Sequence, residues 1–174
     1  SVEIFKNYKD SRFKYFCSDE HTSLYRARNL AIQKSNGELI AFVDTDDFWE
    51  KNKLEMQVPL FEDPNISLVY SNLWIIKESA KKKKLFIKKK SPSGFIYNKL
   101  LDDYNVGILT TIFRKKILKN LEKVFDERFS IIGDFDFFIK LSKNHYFHYI
   151  NEPLAYYRIH DQNFSLVNSK QEMH

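Results

Sequence analysis

Leu39-Ile40-Ala41-Phe42-Val43-Asp44-Thr45-Asp46-Asp47-Phe48-Trp49 is an apolar run followed by three carboxylates within four residues. A short apolar run of this kind reads as a buried strand, and an Asp-x-Asp at its end points two acidic side chains out of a sheet edge. Two carboxylates about 4 Å apart repel by roughly 4 kcal/mol at an effective dielectric near 20. Such a corner calls for a cation, and a hard divalent ion with oxygen ligands, Mg2+ or Mn2+, suits it best. The plainer alternative is a strand-to-helix turn in which Asp46 or Asp47 caps a helix beginning near Trp49.

Composition narrows the setting. At 174 residues the chain reads as one domain, residues 1–174, long enough to bury a core. Its 43% hydrophobic and 29% charged residues are ordinary for a globular protein that is neither disordered nor membrane-embedded. A net charge of +5 and a pI near 9.1 suit an anionic partner such as a nucleotide phosphate, nucleic acid or an acidic membrane surface. The one cysteine, Cys17, excludes an internal disulfide and fits a reducing compartment. No apolar stretch approaches the roughly 20 residues that span a bilayer. The opening Ser-Val-Glu-Ile-Phe-Lys reads as part of a helix, with no signal peptide, so a cytoplasmic location is expected.

Outward from the acidic corner, Leu24, Ala27, Leu30 and Ala31 recur at helical spacing and Asn36-Gly37 supplies a stop. Before that helix, residues 2–8 read as a helix end and Phe13-Lys14-Tyr15-Phe16 as a short strand. After the corner, a helix is expected over residues 50–61, a long strand over 66–76 and a shorter one over 85–87. Residues 95–101 read as a helix, 108–113 as a strand and 115–121 as a helix. Gly133-Asp134 opens another helix with Phe137, Phe138 and Leu141 on its apolar face. Residues 146–150 and 154–157 are expected as strands broken by Asn151-Glu152-Pro153. Helices alternating with strands, with later mixed pairing, predict an α/β sheet flanked by helices.

The run from Lys81 to Lys90 contains seven lysines in ten residues. It reads first as a solvated hairpin whose charge keeps a sheet edge from pairing with another chain. The second reading is peripheral association with anionic headgroups at the cytoplasmic face of the inner membrane. Nucleic acid is not expected as a partner, because the aromatic residues are not interleaved with this run as a stacking platform requires.

Ala27-Arg28-Asn29-Leu30-Ala31-Ile32, Gly37-Glu38-Leu39-Ile40-Ala41-Phe42-Val43 and Asp44-Thr45-Asp46-Asp47-Phe48-Trp49 together resemble the family 2 glycosyltransferases. Lys53-Leu54-Glu55 with Gln57 continues the pattern, as do Thr110-Thr111-Ile112-Phe113-Arg114-Lys115, Phe125-Asp126-Glu127-Arg128-Phe129 and Gly133-Asp134-Phe135-Asp136. Glu152-Pro153-Leu154 with Tyr157-Arg158-x-His160 and Ser165 matches the closing motif. The matches fall in order over residues 13–165, and their specificity lies in the set.

The resemblance implies a GT-A fold, Rossmann-like, using a nucleotide-diphosphate sugar, a UDP-sugar above all. It implies inverting, metal-dependent transfer to a glycan or lipid-linked acceptor, in surface polysaccharide or lipooligosaccharide synthesis. Carried over residue by residue, Asp44 would face the nucleotide's sugar, Asp46 would hold Mn2+ or Mg2+ on the diphosphate, and Arg28 would line the nucleotide side. Asp134 would be the general base, with Asp136 as its rival on the acceptor side. Arg158 and His160 would meet the diphosphate or the metal, and Trp49 could stack near the acceptor or belong to the core. A helix N-terminus should keep Asp134 ionised; the plain alternative is that it only caps its helix. The family more often has Glu where Gly133 stands.

Family members also open with a strand, a helix and a second strand ending in Asp-Asp-Gly-Ser, and this chain starts after that point. The expectation is thus a GT-A sheet lacking its first β-α-β segment, with open strand edges and self-association into a homo-oligomer. The alternative to an enzyme is a truncated, non-catalytic, self-associating module of the same fold. A magnesium-dependent phosphatase or nucleotidyltransferase shares the acidic turn but leaves Tyr157-Arg158-x-His160 without a role.

Overall fold

In the computed structural model, residues 2–77, 82–160 and 163 are described. The helices are α1 (Val2–Lys6), α2 (Leu24–Lys34), α3 (Lys53–Gln57), α4 (Tyr97–Asp102) and α5 (Gly133–Ser142). The strands are β1 (Leu39–Ala41), β2 (Phe48–Trp49), β3 (Ile66–Lys77), β4 (Lys82–Leu85), β5 (Ile112–Arg114) and β6 (Tyr146–Ile159). They form one sheet in the order β1-β5-β3-β6-β2, with β4 also paired to β3. Only β3 and β6 run parallel; the other pairings are antiparallel.

Side chains alternate across this sheet as a two-residue period demands. Ile40 of β1, Leu68 and Tyr70 of β3, Phe113 of β5, and Phe147 and Tyr149 of β6 face one cluster. There they meet Tyr25 and Ile32 of α2, Leu100 of α4, and Phe137, Phe138 and Leu141 of α5. Val69, Ile112 and Ile150 point the other way, onto Phe61 of the 3-10 turn Val58–Glu62 and Met56 of α3. Ile66 also faces this second layer, two residues before Leu68 faces the first, because the β3–β6 register shifts between them. The result is a mixed sheet with helices on both faces.

Several expected elements are corrected. Residues 13–16 form no strand: Phe13, Tyr15 and Phe16 are exposed, and the segment has no ladder partner among the described residues. The expected strand 108–113 begins with a 3-10 turn, Ile108–Thr110, and only Ile112–Arg114 joins the ladder. The expected helix 115–121 is likewise a 3-10 turn, Lys115–Asn120. The second short strand lies at Lys82–Leu85, three residues before its expected place, paired with Trp74–Lys77 as a charged hairpin edge. Lys81 and Ser165 fall outside the described residues.

Asn151-Glu152-Pro153 does not break the last strand. It forms an irregularity within β6, where Ser71 pairs Ile150 and Asn72 pairs Pro153. This bulge lets one continuous strand carry both Tyr149 of the core and Arg158 of the site. The stripe Leu24, Ala27, Leu30 and Ala31 is exposed, while α2 buries Tyr25, Arg28 and Ile32. Helical spacing identified the helix but chose its wrong face, because the residues that dock are an aromatic ring and an arginine.

Candidate active site

The acidic turn joins two strands. After Ala41 leaves the ladder, the Asp47 amide donates to Asp44 O at 3.1 Å and closes the turn. Phe48 and Trp49 then pair with Tyr156 and Ala155 of β6. The next helix starts only at Lys53, with Asn52 as its N-cap residue, so neither Asp46 nor Asp47 caps it.

β6 returns along β2 and brings the closing motif onto the same turn. The Arg158 amide donates to Asp47 Oδ1 at 3.0 Å, and the Arg158 Nε–H donates to the Asp46 carbonyl. His160 Nε2 lies 3.0 Å from Asp46 Oδ2. Asn163, buried, donates from Nδ2 to Arg158 O at 3.0 Å and reaches Asp46 Oδ2 at 3.4 Å. Burial pushes the Asp47 carboxyl up to about 6; the Arg158 amide opposes this and the neighbouring carboxylates of Asp46 and Asp44 reinforce it. Asp47 thus splints the turn to β6, a role its position in the sequence did not reveal.

The third part comes from α2 and α5. Arg28 is buried, with Nη2 at 3.3 and 3.2 Å from the two carboxylate oxygens of Asp44. Its guanidinium sits 5.7 Å from the Tyr25 and Phe42 ring centres and 5.9 Å from that of Phe125. A caged arginine keeps its charge and its place. Arg28 and Asp44 both act electrostatically on the buried Asp134, with opposite signs.

α2 sets the position of Asp134 through two clamps. Asn29 accepts from Phe125 N at 3.0 Å and donates to Phe125 O at 2.9 Å. The Tyr25 hydroxyl donates to Ile131 O at 2.7 Å and accepts from Gly133 N at 2.8 Å. Gly133 has a steric reason: an added Cβ would lie 2.5–2.8 Å from three Tyr25 ring atoms. No side chain fits there, Glu included.

Asp134 accepts from the Phe135 amide at 2.9 Å, a partial cap. Burial raises its pKa, against the backbone hydrogen bond and Arg28. The pull of the helix N-terminus toward the ionised form is thus opposed by desolvation, the larger of the two effects on its pKa. Asp136 is instead paired with Lys140 at 2.6 Å, one turn on. Trp49 donates Nε1–H to Leu109 O at 2.8 Å and packs against Leu73, Leu109 and Ala155, which is a core position.

Among the described residues no three His, Cys, Asp or Glu side chains gather closely enough to hold a metal by themselves. Asp46 and His160 are paired to each other, Nε2 3.0 Å from Oδ2, a contact that one ion could replace by taking the carboxylate and the ring nitrogen together. Asp44, engaged with Arg28, does not join them.

The crystal structure of S. aureus TarS 1-349 in complex with UDP-GlcNAc superposes with a TM-score of 0.72 at 19% identity, covering 94% of this chain and 46% of that one. The mixed sheet flanked by helices is a GT-A fold. Residues 1–125 match the model of Glycosyl transferase family 2, and the chain belongs to that family. The Escherichia coli UDP-Glc:alpha-D-GlcNAc-diphosphoundecaprenol beta-1,3-glucosyltransferase WfgD is 36% identical over 111 residues, 64% of this chain and 42% of WfgD. The putative teichuronic acid biosynthesis glycosyltransferase TuaG of Bacillus subtilis is 24% identical over 166 residues, 94% of this chain and 64% of TuaG. The chain thus spans less than two thirds of the length of each.

Proposed function

We propose that this chain forms the catalytic part of an inverting glycosyltransferase that moves a sugar from a UDP-sugar to a glycan or lipid-linked acceptor in surface polysaccharide synthesis. The observation that carries this reading is the convergence of Asp44, Arg28 and Asp134 on one site, with Asp46, Arg158 and His160 on the turn beside it. The nucleotide sugar bound by TarS and the activity of WfgD support the choice of donor and acceptor class.

Asp134 takes the proton of the acceptor hydroxyl as that oxygen bonds to the anomeric carbon. The bond from that carbon to the diphosphate breaks on the opposite face, and the nucleoside diphosphate departs with the bonding pair. Arg158 contributes a permanent charge for phosphate oxygens. Asp46 and His160 would hold Mg2+ or Mn2+, which supplies charge compensation for the leaving diphosphate when bound. Arg28 fixes Asp44 toward the donor sugar and tempers the rise in the Asp134 pKa. These groups act where charge develops, so they lower the barrier more than they strengthen binding.

Calorimetry with UDP-glucose and UDP-GlcNAc, with and without Mn2+, tests the reading; metal-dependent heat is expected, abolished by Asp46→Ala. No heat with any UDP-sugar would remove it. A second reading, a non-catalytic self-associating module, is favoured by the open β1 edge and the exposed stripe of α2. For the peripheral membrane association, the exposed lysines of β4 are the supporting feature. No helix among the described residues is long and apolar enough to cross a membrane.

A further inference from the structure

Part of the lysine run has no place in the donor chemistry, yet it is held firmly. Asn72, buried in β3, accepts from Ile87 N and donates to Ile87 O, both at 2.9 Å. Five residues on, the Tyr70 hydroxyl donates to Pro92 O at 2.6 Å and lies 3.0 Å from Ser91 Oγ. The segment between these anchors is Lys88-Lys89-Lys90. It forms one wall of a cavity of about 650 Å³ whose lining also includes Lys99, Asp102 and Asp103.

Four ammonium groups against two carboxylates leave a local excess of two positive charges, 4 − 2 = +2. None of the four lysines lies within 4 Å of a described carboxylate as an ion pair. Lysines clustered in this way suit an anion with more than one charge, and a lysine meets phosphate as a point charge.

The same cavity is lined by Tyr104 and Asn105. Tyr104 Oη and Asn105 Oδ1 are the buried side-chain polar atoms that find no partner among the described residues. Buried polar atoms are nearly always paired, and a ligand hydroxyl that parts the side chains covering these two would partner both. The Tyr104 ring packs edge-on against Phe135, 5.1 Å between centres, and feels the Asp134 charge. One side chain therefore links the basic cavity to the base. Phe86, which also lines the cavity, is exposed, as are Leu85 and Leu101 nearby in the chain.

Resting on the function proposed above, we infer that this cavity takes the diphosphate of a polyprenyl-diphosphate-linked sugar, the acceptor. Lys88, Lys89, Lys90 and Lys99 meet the phosphates, Tyr104 and Asn105 meet the sugar whose hydroxyl faces Asp134, and the exposed apolar side chains meet the prenyl chain. The donor's diphosphate is not a competing occupant, since its groups lie at Asp46, Arg158 and His160. A free nucleotide would also leave the apolar rim unused.

The test is vesicle binding by the full chain. Phosphatidylcholine vesicles carrying undecaprenyl-diphosphate-GlcNAc are compared with phosphatidylglycerol vesicles of equal surface charge, with inorganic pyrophosphate as a soluble competitor. A preference of about tenfold for the diphosphate lipid is expected. Pyrophosphate should erase it, and so should Lys88→Ala/Lys89→Ala/Lys99→Ala. The control Lys82→Ala/Lys83→Ala/Lys84→Ala removes the same charge from β4, outside the cavity, and should keep the preference. Equal binding to both vesicle types, no competition by pyrophosphate, or loss of the preference in the β4 variant would each overturn the inference. UDP-sugar calorimetry on the same samples separates the two levels: donor heat without lipid preference sinks this inference alone, whereas absent donor heat sinks the parent reading.

Discussion

Asp134 and Asp136 stand one residue apart on either side of Phe135, and their surroundings assign them different work. Lys140 holds Asp136 at 2.6 Å, whereas Asp134 is desolvated beside Arg28 and Asp44. Asp134→Asn should cost about 10²- to 10⁴-fold in kcat, as loss of a general base does, while Asp136→Asn should stay within about threefold. Because the folded pKa of Asp134 is raised, its ionised form costs stability above the unfolded value and is relieved as pH falls. Asp134→Asn should therefore hold or slightly raise the melting temperature at pH 7 while activity collapses. Had Asp134 only capped its helix, the alanine variant would lose about 0.5–2 kcal/mol and the asparagine variant little of anything. Activity, needing the carboxylate, should fall on the acid side at a pH above that of an ordinary aspartate. A rate profile with its acid limb at the ordinary aspartate value would contradict the burial argument. Gly133 next door gives an independent check: Gly133→Ala should cost about 1–3 kcal/mol through overpacking on Tyr25. In a Tyr25→Ser background most of that cost should vanish, and additive losses in chemical denaturation would show that the ring is not the obstacle.

At the scale of elements, the motif that continues as Lys53-x-x-x-Gln57 has a structural explanation. Lys53 is fully buried in α3; its ammonium donates to Gln57 Oε1 and lies 4.5 Å from the Trp49 ring centre, and Gln57 Nε2 donates to Thr110 O at 2.9 Å. Burial pushes the Lys53 pKa down to about 7. The unfolded chain then binds more protons than the folded one between about pH 7 and the ordinary lysine value, so stability should rise with pH across that window. The gain is bounded at about 3 kcal/mol from pH 7 to pH 9, because one proton of difference is worth roughly 1.4 kcal/mol for each of the two pH units crossed. Lys53→Met should flatten this slope in urea titrations, and an unchanged slope would return Lys53 to full ionisation. The elements themselves were largely legible, because α5, β3 and β6 carry long apolar patterns that survive any context. Short ones were not: β1 and β5 keep three ladder residues each, and turns such as Lys115–Asn120 wind as 3-10 rather than α. Within the candidate site, acidic spacing and resemblance nominated Asp44, Asp46, Asp134, Arg158 and His160. Asn163 and the splint made by Asp47 were not legible, since both depend on β6 returning more than a hundred residues later. Tyr104 and Asn105 left no pattern at all; only their missing partners single them out.

At the scale of the molecule, the open surfaces decide how copies meet. β1 has β5 on one side and no described strand on the other, leaving amide and carbonyl groups along a three-residue edge. Close to it in sequence, α2 exposes Leu24 and Leu30 with Ala27 and Ala31 beside them, and residues 13–16 expose Phe13, Tyr15 and Phe16. Exposed apolar surface of this extent, beside an unprotected edge, favours pairing with another chain. The β4 hairpin is the opposite case: its lysines shield it, so the contact should avoid that end and leave the basic cavity open. At micromolar concentration the isolated chain should therefore scatter light as a dimer or larger species. Leu24→Lys with Leu30→Lys should shift it toward monomer with little change in its melting temperature, because both side chains are already more than a third exposed. Replacing β4 lysines should not disperse it. A wild-type chain that stays monomeric across the micromolar range would mean that these faces are too small or too curved to associate.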